Sequence, residues 1–283
     1  MRWVLVGANG MLGQDLAALL KDRGQEVTTV DLPEIDITDR VSVERNIAGG
    51  TDIVVNCAAF TAVDKAEEAE ALAFTINAVG PQYLAQRCKD IGARLVHIST
   101  DYVFDGAATE PYKADAPICP ASAYGRTKGA GEWAIRSNAD NYLIVRTAWL
   151  YGQYGNCFPK TMARLAGEHD SLKVVGDQFG QPTWTVDLSD LIYRLVEGRA
   201  PSGIYHGTSQ GKTSWHGFTQ AIVASLGKDP SMVNACTTEE FPRPAPRPAF
   251  SVLDHGSLRA QGVEPIGDWH DRWQTAAQEV LGL

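Results

Sequence analysis

The sequence has no long apolar run. No stretch approaches the roughly 18 consecutive apolar residues that a membrane-spanning helix needs. Residues 1–7 also lack the apolar segment and small-residue cleavage site of a secretory signal peptide. We therefore expect a cytoplasmic protein with no membrane partner.

Cysteine and histidine are scarce and scattered. The chain contains 5 Cys and 6 His, without a C-x-x-C pair or an H-E-x-x-H spacing. An odd number of widely spaced cysteines indicates reduced, mostly buried thiols and excludes a disulfide framework or a zinc site. We expect no catalytic metal. The cysteines are Cys57, Cys88, Cys119, Cys157 and Cys236.

Positive charge is in short supply. The chain has 25 Lys and Arg against 34 Asp and Glu, which gives a formal net charge of −9. Proteins that bind nucleic acid through its phosphates usually need a basic face, so a nucleic-acid partner is not expected. An anionic small molecule would have to be held by a few local Arg or Lys side chains.

The sequence does contain a regular alternation over its first two-thirds. Short β-branched runs alternate with helically spaced segments, which predicts a parallel sheet covered by helices on both faces. The favoured fold class is α/β, with a doubly wound, Rossmann-like sheet. Predicted strands are 3–6, 26–30, 53–56, 94–99 and 142–146, and predicted helices are 11–21, 42–47, 66–79, 82–91 and 124–136.

The rhythm loosens beyond residue 151. A helix is predicted over 159–168, a strand over 172–175 and an amphipathic helix over 186–197. Residues 239–248 contain four prolines in ten positions, which predicts a polyproline-like surface loop or lid. We predict a Rossmann domain over 1–150 and a smaller α/β portion over 151–283, some of whose segments return to the Rossmann sheet.

A glycine-rich turn follows the first predicted strand and opens the first helix. Its G-x-x-G-x-x-G spacing permits a tight turn and close backbone approach to a dinucleotide pyrophosphate, which the helix N-terminus attracts. Asp31, at the end of the second strand, can accept from the adenosine ribose 2′-OH, although a solvated loop acid is the plain alternative. The predicted cofactor-binding residues of this turn are Gly7, Asn9, Gly10, Met11, Leu12 and Gly13.

Two further segments fit the same cleft. Asp36 and Ile37 are predicted to lie beside the adenine. Ala58, Ala59 and Phe60 follow the third strand, where small residues let the backbone pass close to a cofactor. NADH or NADPH is therefore the predicted cofactor, and these two segments depend on the glycine turn for that interpretation.

A phenol and an ammonium lie four residues apart on one predicted helix. Tyr124 and Lys128 share a face at this spacing. A free tyrosine has a pKa of about 10, and a nearby ammonium lowers that pKa toward neutrality. Thr100, at the end of a predicted strand, can hydrogen-bond a substrate carbonyl. These three residues are the predicted catalytic set.

At these residues the chain resembles the extended short-chain dehydrogenases, and within them the dTDP-4-dehydrorhamnose reductase family. The similarity covers nearly the whole length. Its most specific stretch is S-T-D-Y-V-F-D-G at 99–106, whereas the Y-x-x-x-K pattern is common to the superfamily. The resemblance implies reduction of the C4 keto group of a dTDP-4-keto-6-deoxyhexose by NAD(P)H, with dTDP-4-dehydro-L-rhamnose favoured.

The resemblance also implies roles for single residues. Tyr124 would donate the proton to the carbonyl oxygen, and Lys128 would lower the tyrosine pKa and bind the nicotinamide ribose. Thr100 with Asp101 would orient the sugar carbonyl. Trp149 would wall the sugar, although a core aromatic is its plain alternative. The last candidate is Arg247 for the diphosphate, against a solvated arginine, with Arg243, Lys160 and Arg164 as reserves.

Two departures from the family pattern stand out. Phe250 replaces an Asn that is common in the last family motif, which leaves the fine substrate specificity open. Some relatives dimerise through a magnesium ion, and Asp15 would suit such a site. The segment Trp184-Thr185-Val186, however, offers no Glu. A monomer or a homodimer without a bridging metal is expected.

Two alternative functions remain open from the sequence. One is a 4-ketoreductase of another nucleotide deoxysugar in natural-product biosynthesis. The other is a non-catalytic, NADP-binding regulatory subunit, against which the intact Tyr124, Lys128 and Thr100 set argues.

Overall fold

A computed structural model describes all residues from 1 to 283. The chain forms fourteen strands and eleven helices. The strands are β1 (Arg2–Val6), β2 (Glu26–Val30), β3 (Ile53–Asn56), β4 (Arg94–Thr100), β5 (Tyr142–Thr147), β6 (Leu150–Tyr151), β7 (Leu172–Val175), β8 (Phe179–Gly180), β9 (Thr183–Trp184), β10 (Gly203–His206), β11 (Ser209–Gln210), β12 (Thr213–Ser214), β13 (Val233–Cys236) and β14 (Ile266–Asp268). The helices are α1 (Met11–Asp22), α2 (Arg40–Asn46), α3 (Val63–Glu68), α4 (Glu70–Phe74), α5 (Gly80–Ile91), α6 (Ala123–Asn138), α7 (Phe158–Glu168), α8 (Thr185–Glu197), α9 (Trp215–Ser225), α10 (Gly256–Arg259) and α11 (Trp269–Leu281).

The central sheet has six parallel strands in the order β10-β5-β4-β3-β1-β2. Along β1, Val4 belongs to a cluster on one face and Leu5 to a cluster on the other. Both faces of the sheet are therefore buried, which explains why the strands are continuously apolar. The predicted doubly wound α/β fold is confirmed.

The strand order reverses between β1 and β3. The chain passes from β1 to β2 on one side and then crosses to β3 on the other side. In open parallel sheets, ligands bind outside the carboxyl ends of the strands at such a reversal. The glycine turn follows β1, and Thr100 ends β4 at the same edge, so the predicted site residues converge there.

The second half of the chain contributes to the sheet and builds a smaller layer. Strand β10 pairs with β5 at the sheet edge, and α8 packs against α1. Phe218, Trp273 and Tyr151 form a separate apolar cluster. Residues 237–248 form neither helix nor strand, as the proline content predicts. The division near residue 150 stays a prediction.

The predicted single helix over 66–79 is wrong. Helix α3 ends before Ala69, whose backbone (φ −126°, ψ 39°) interrupts it, and α4 is followed by a π-helical segment, Thr75–Val79. Single-turn π segments are frequent at functional sites. The break and the wider turn bring Asn77 to the site described below.

No helix of this chain combines the length and the apolar character that crossing a bilayer requires. All five cysteines are free thiols, and Cys88, Cys157 and Cys236 are buried, as predicted for most of them. Cys119 is exposed.

Candidate active site

The glycine turn brings two backbone segments unusually close together. Gly7 has a positive φ of 76°, and a Cβ at this position would lie 2.6 Å from the Ala58 nitrogen. A Cβ at Gly13 would lie 2.5 Å from the Gly7 oxygen. Helix α1 begins after Gly10, which provides no side-chain cap. The first amides of α1, at Met11 and Leu12, thus lie at an uncapped helix start suited to a pyrophosphate.

Asp31 fastens the end of β2 to the glycine turn. Its carboxylate accepts hydrogen bonds from the Asn9 nitrogen at 2.9 Å and from the Leu32 nitrogen at 2.8 Å. Each carboxylate oxygen retains a free acceptor position. Asp31 therefore stabilises the turn and still has capacity for a ribose hydroxyl.

The predicted adenine segment is only partly free for a ligand. The Asp36 carboxylate accepts from the Thr38 nitrogen at 2.8 Å and from the Thr38 hydroxyl at 2.7 Å. Ile37 is buried and packs against Gly80, where a Cβ would lie 2.7 Å from its Cδ1. The contacts of Ile37 are those of a core residue.

Asn77 ties the segment after β3 to helix α6. It accepts from the Phe60 nitrogen at 2.8 Å and donates to the Phe60 oxygen at 3.1 Å and to the Thr127 hydroxyl at 3.1 Å. A Cβ at Gly131 would lie 2.1 Å from the backbone oxygen of Asn77. The π segment and α6 thus pack backbone to backbone, which fixes the Ala58–Phe60 segment against the helix that carries Tyr124.

Tyr124 lies in the first turn of α6, whose start is capped by the Ser122 side chain. Its ring meets Tyr102 edge-on, with 5.6 Å between centroids. Burial raises the pKa of Tyr124 to about 12, and a hydrogen bond with the Thr100 side chain opposes this shift. Tyr124 is therefore a protonated phenol at neutral pH, next to a hydroxyl, which suits a proton donor.

Lys128 is bound to strand β4 in this arrangement, not to Tyr124. Its Nζ donates to the Ile98 oxygen at 2.6 Å and lies 3.3 Å from His97 Nε2. Burial lowers the pKa of Lys128 to about 8, and the Glu132 carboxylate opposes this shift. Because the amine is bound to strand β4, Lys128 can stabilise the phenolate of Tyr124 only after a rearrangement or when a ligand binds.

Thr100 and Asp101 form a buried pair at the carboxyl end of β4. The Thr100 hydroxyl donates to Asp101 Oδ1 at 3.0 Å and accepts from the Tyr102 nitrogen at 3.2 Å. Asp101 Oδ2 and the Ser251 hydroxyl are both buried and lack a well-formed hydrogen bond, although Ser251 lies close enough to lower the pKa of the carboxyl. Burial outweighs this contact and raises the pKa of Asp101 to about 6. Poorly satisfied buried polar groups are rare, so this pair is available to a ligand group in the complete site.

The raised pKa of Asp101 gives a stability prediction with a definite sign. The folded state holds this proton more tightly than the unfolded state, so stability is fully present below pH 3.8 and is lost as pH rises through about 6. Asp101→Asn removes this loss. Between pH 5 and pH 8 the unfolding free energy of the variant should gain about 1–2 kcal/mol relative to wild type. Urea unfolding at both pH values measures it, and a pH-independent difference would refute the ionised, buried carboxylate.

A buried ion pair supports helix α6, which carries Tyr124 and Lys128. Glu132 on α6 accepts from Arg146 Nε at 2.9 Å and from Nη2 at 2.7 Å, with both side chains at most 2% exposed. The Ser99 hydroxyl also donates to Glu132, at 2.6 Å. Arg146 thus connects α6 to β5, and Ser99 connects it to β4. Thr100 ends β4, and Trp149 follows the end of β5.

Trp149 is held in a strained backbone conformation. Its φ of 48° lies in the left-handed region, which costs a bulky residue about 1–2 kcal/mol. One face of its indole stacks on Trp215, with centroids 3.5 Å apart and planes 9° apart. Gly180 also packs against this ring, because a Cβ there would lie 2.5 Å from Cε2 of Trp149. Only part of the indole is left to wall a sugar.

Arg247 is neither free nor a solvated surface residue. Its Nη2 lies 2.8 Å from Asp64 Oδ1, and its side chain is 19% exposed. Together with Tyr102, Phe104 and Pro248 it lines a small cavity of about 50 Å³. A Cβ at Gly106 would lie 2.5 Å from Cβ of Pro248, so the proline-rich loop rests on the 99–106 segment.

The three reserve cations have other partners. Lys160 Nζ donates to the backbone oxygens of Gln153 and, at 3.0 Å, Gly155. Arg164 pairs with Glu168 at 2.7 Å, and the Arg243 guanidinium lies 4.7 Å from the Phe241 ring centroid.

Asp15 contacts Thr185, whose hydroxyl donates to it inside the α1–α8 contact. Burial raises the pKa of Asp15. No group of three or more His, Cys, Asp or Glu side chains is placed to hold a metal ion.

A much larger cavity, about 930 Å³, lies elsewhere, between the 113–118 loop, α6 and β10. It includes Trp133 and Arg136 but neither Tyr124 nor the glycine turn. Its size alone therefore does not mark it as the site of the chemistry.

Sequence reasoning missed three residues of this site. Asn77 and His97 carry no local motif, and their roles follow from contacts 17 to 50 positions away in the chain. Trp215 follows the strand–helix junction at Ser214, and only its aromatic character offered a signal.

The family model of the RmlD substrate binding domain matches residues 1–281. The chain belongs to this family. A dTDP-4-dehydrorhamnose reductase from Streptomyces griseus is 46% identical over 95% of the chain and 90% of that protein. A dTDP-4-keto-6-deoxy-D-glucose reductase from Streptomyces niveus is 44% identical over 95% of the chain and 93% of that protein.

A solved structure has the same fold as this chain. The dTDP-4-dehydrorhamnose reductase from Bacillus anthracis, in complex with NADP, superposes with a TM-score of 0.93. It is 37% identical, over 97% of this chain and 98% of that one. The similarity therefore includes both the Rossmann sheet and the smaller C-terminal layer.

Proposed function

We propose that the protein reduces the C4 keto group of a dTDP-4-keto-6-deoxyhexose with NADPH or NADH, and that dTDP-4-dehydro-L-rhamnose is converted to dTDP-L-rhamnose. One observation carries the proposal. A protonated, partly buried phenol, Tyr124, lies beside the Thr100 hydroxyl and the buried Asp101 carboxyl, at the sheet edge that also carries the glycine turn. The two named relatives, both 4-keto sugar reductases, support the same chemistry.

The residues present fit a dinucleotide. Gly7 and Gly13 pack closely against neighbouring backbone, and the start of α1 has no side-chain cap. Asp31 keeps the capacity to accept a further hydrogen bond. When bound, the reduced nicotinamide supplies a hydride for the carbonyl carbon. The NADP in the Bacillus anthracis relative supports this class of cofactor.

The protein's own residues handle the proton and the orientation. When substrate binds, the Thr100 hydroxyl turns its proton from Asp101 to the carbonyl oxygen and aligns that oxygen, and Tyr124 transfers its Oη proton to it as the C4 alcohol forms. The phenolate then regains a proton from solvent. Lys128, as an ammonium, stabilises the phenolate and binds the nicotinamide ribose.

The substrate is anionic in a protein of net charge −9. We assign the diphosphate to Arg247. Its guanidinium, now paired with Asp64, can turn to a phosphate or bind both anions at once. Asp101 and the uncovered part of the Trp149 ring contact the sugar. A cytoplasmic location and a monomeric or homodimeric state remain predictions.

A second candidate is a 4-ketoreductase for a different deoxysugar. Phe250 replaces the common family Asn, and the Lys212 ammonium lies 5.2 Å from its ring centroid. The Streptomyces niveus relative, named for dTDP-4-keto-6-deoxy-D-glucose, shows 44% identity. At position 250 this chain therefore has an aromatic ring close to the Lys212 ammonium, where the family pattern commonly has the amide of an Asn.

The test is oxidation of NADPH and NADH with two substrates, each freshly generated. Turnover of dTDP-4-keto-6-deoxy-L-lyxo-hexose, with dTDP-L-rhamnose as product, is the expected result. Turnover of dTDP-4-keto-6-deoxy-D-glucose alone would favour the second candidate. No oxidation with either, despite cofactor binding, would reject both reductase assignments and favour a regulatory role.

Asp31→Ala should weaken NADH binding more than NADPH binding. The carboxylate accepts from a ribose hydroxyl but repels a 2′-phosphate, so its removal costs only NADH the favourable contact. The Asn9 hydrogen bond is lost for both cofactors, and Asp31→Asn, which keeps an acceptor for Asn9, is the matched control. Fluorescence titration of wild type and the two variants gives the six dissociation constants. An equal loss of affinity for NADH and NADPH would show that Asp31 does not accept a hydrogen bond from the ribose 2′-hydroxyl.

A further inference from the structure

His97 is a fully buried histidine that the proposed chemistry does not yet use. It lies on β4 between two polar side chains from other elements. Asn56 Nδ2, at the end of β3, is 3.1 Å from His97 Nδ1. Lys128 Nζ, on α6, is 3.3 Å from His97 Nε2. The imidazole therefore joins the segment after β3 to the catalytic lysine.

The hydrogen bonds at Asn56 fix the tautomer of His97. The Ala58 nitrogen donates to Asn56 Oδ1 at 3.1 Å, so the amide oxygen faces Ala58 and the NH2 group faces the imidazole. His97 Nδ1 must then be the acceptor. Burial holds the pKa of His97 well below its usual value, so the ring is neutral. Its single N–H lies on Nε2, toward Lys128.

This tautomer is unfavourable for a charged lysine. An ammonium has only donors, so Nε2–H and a charged Nζ face each other donor to donor. A neutral amine instead accepts from Nε2–H and keeps a hydrogen for the Ile98 oxygen, 2.6 Å away. A hydrogen bond to the neutral form of a group disfavours its charged form.

The charged neighbours of Lys128 do not cancel this contact. Glu132 favours the ammonium, but Arg146 already neutralises that carboxylate. The Cys57 thiol is uncharged, because burial raises its pKa to about 12, and Tyr124 is a neutral phenol. His97 is the hydrogen-bonding side chain nearest to Nζ.

We infer that His97 is a positioning residue which, locked by Asn56 as the Nε2–H tautomer, donates to Lys128 and favours its neutral amine in the cofactor-free enzyme. The inference deepens the proposed function, because Lys128 acts there as an ammonium. The resting enzyme thus holds this lysine ready to change its charge in the pH range where a cell works.

The first measurement reads the tautomer directly in the wild-type protein. Long-range ¹H–¹⁵N spectra of histidine-labelled, cofactor-free enzyme resolve the 6 histidines, and His97 is assigned from the signal lost in His97→Asn. A proton on Nε2 with a bare Nδ1 is expected between pH 7 and pH 9. A proton on Nδ1, or an imidazolium, would overturn the inference whether or not the enzyme turns over a sugar.

The second measurement follows Lys128. His97→Asn keeps a group near Nδ1 for Asn56 and removes the donor at Nε2, so the Lys128 pKa should rise by about one unit, a tenfold change in its protonation constant. ¹³Cε titration of labelled lysine measures this, with Lys128→Arg for assignment. Asn56→Asp, which accepts from Nδ1–H and so reverses the tautomer, should also raise the Lys128 pKa.

His206→Asn is the matched control, since this buried histidine bonds the Asp254 oxygen instead of Lys128. Its Lys128 titration should match wild type. In the active enzyme the alkaline limb of kcat/KM should move upward with His97→Asn and not with the control. An unmoved Lys128 titration in His97→Asn would refute the inference, whereas absent turnover in wild type would refute only the proposed function.

Discussion

Tyr124→Phe is expected to lower kcat/KM for the keto sugar by about 10²–10⁴-fold and to leave the dissociation constant of NADPH unchanged. The phenol is the only group that the proposal has transferring a proton to the carbonyl oxygen, and burial keeps it protonated with a pKa of about 12. The ring itself stays in its edge-on contact with Tyr102, so the helix should keep its position. Steady-state kinetics and a cofactor titration measure the two effects.

Tyr151→Phe is the matched control for this substitution. Tyr151 is fully buried, whereas Tyr124 is partly buried, and the Tyr151 hydroxyl has no hydrogen-bond partner. Removing that hydroxyl should leave kcat/KM within about twofold, because it touches none of the proposed machinery. Near-wild-type turnover by Tyr124→Phe would remove Tyr124 from the role of proton donor.

Glu132→Gln should lower the free energy of unfolding by about 3–5 kcal/mol, since it leaves the buried Arg146 guanidinium without its counter-charge. The carboxylate accepts two hydrogen bonds from Arg146 and one from Ser99, and a single amide oxygen cannot replace all three. Urea unfolding at pH 7.5 measures the loss. A loss below about 1 kcal/mol would show that the pair is hydrated or already neutral.

Glu70→Gln provides a control with nearly the same geometry at the surface. Glu70 accepts from Arg126 at 2.8 and 2.9 Å, but the two side chains are 45% and 44% exposed. Its removal should cost less than about 1 kcal/mol, because water screens the pair. The double variant Glu132→Leu, Arg146→Met should lose less than the sum of its single changes, since it leaves no unpaired charge.

The sheet and the glycine turn could be predicted because their determinants are local. The apolar runs at β1 and β3 mark strands buried on both faces, and Gly7 and Gly13 mark close backbone contacts. Tyr124 and Lys128 share a helix, so their spacing alone brings them together. The two-residue strands of the C-terminal layer carry too little pattern to be recognised.

The partners of the site residues could not be predicted, because they depend on packing between distant segments. Arg247 contacts Asp64 across 183 positions of sequence, and Lys128 is held by β4 instead of by Tyr124. Trp149 is predicted to wall a sugar, and its stacking on Trp215 could not be read from the sequence. Asn77, beyond the helix break at Ala69, hydrogen-bonds Phe60 and Thr127, and no helical periodicity reveals these contacts.

The most direct test of the proposed reaction traces the hydride. Purified protein is incubated with dTDP-4-keto-6-deoxy-L-lyxo-hexose and NADPH deuterated at nicotinamide C4, on each face in turn, and the product is analysed by NMR. The account predicts dTDP-L-rhamnose with one deuterium at sugar C4, delivered from one face only. Product without deuterium at C4, or deuterium at another sugar carbon, would contradict hydride transfer to the C4 carbonyl.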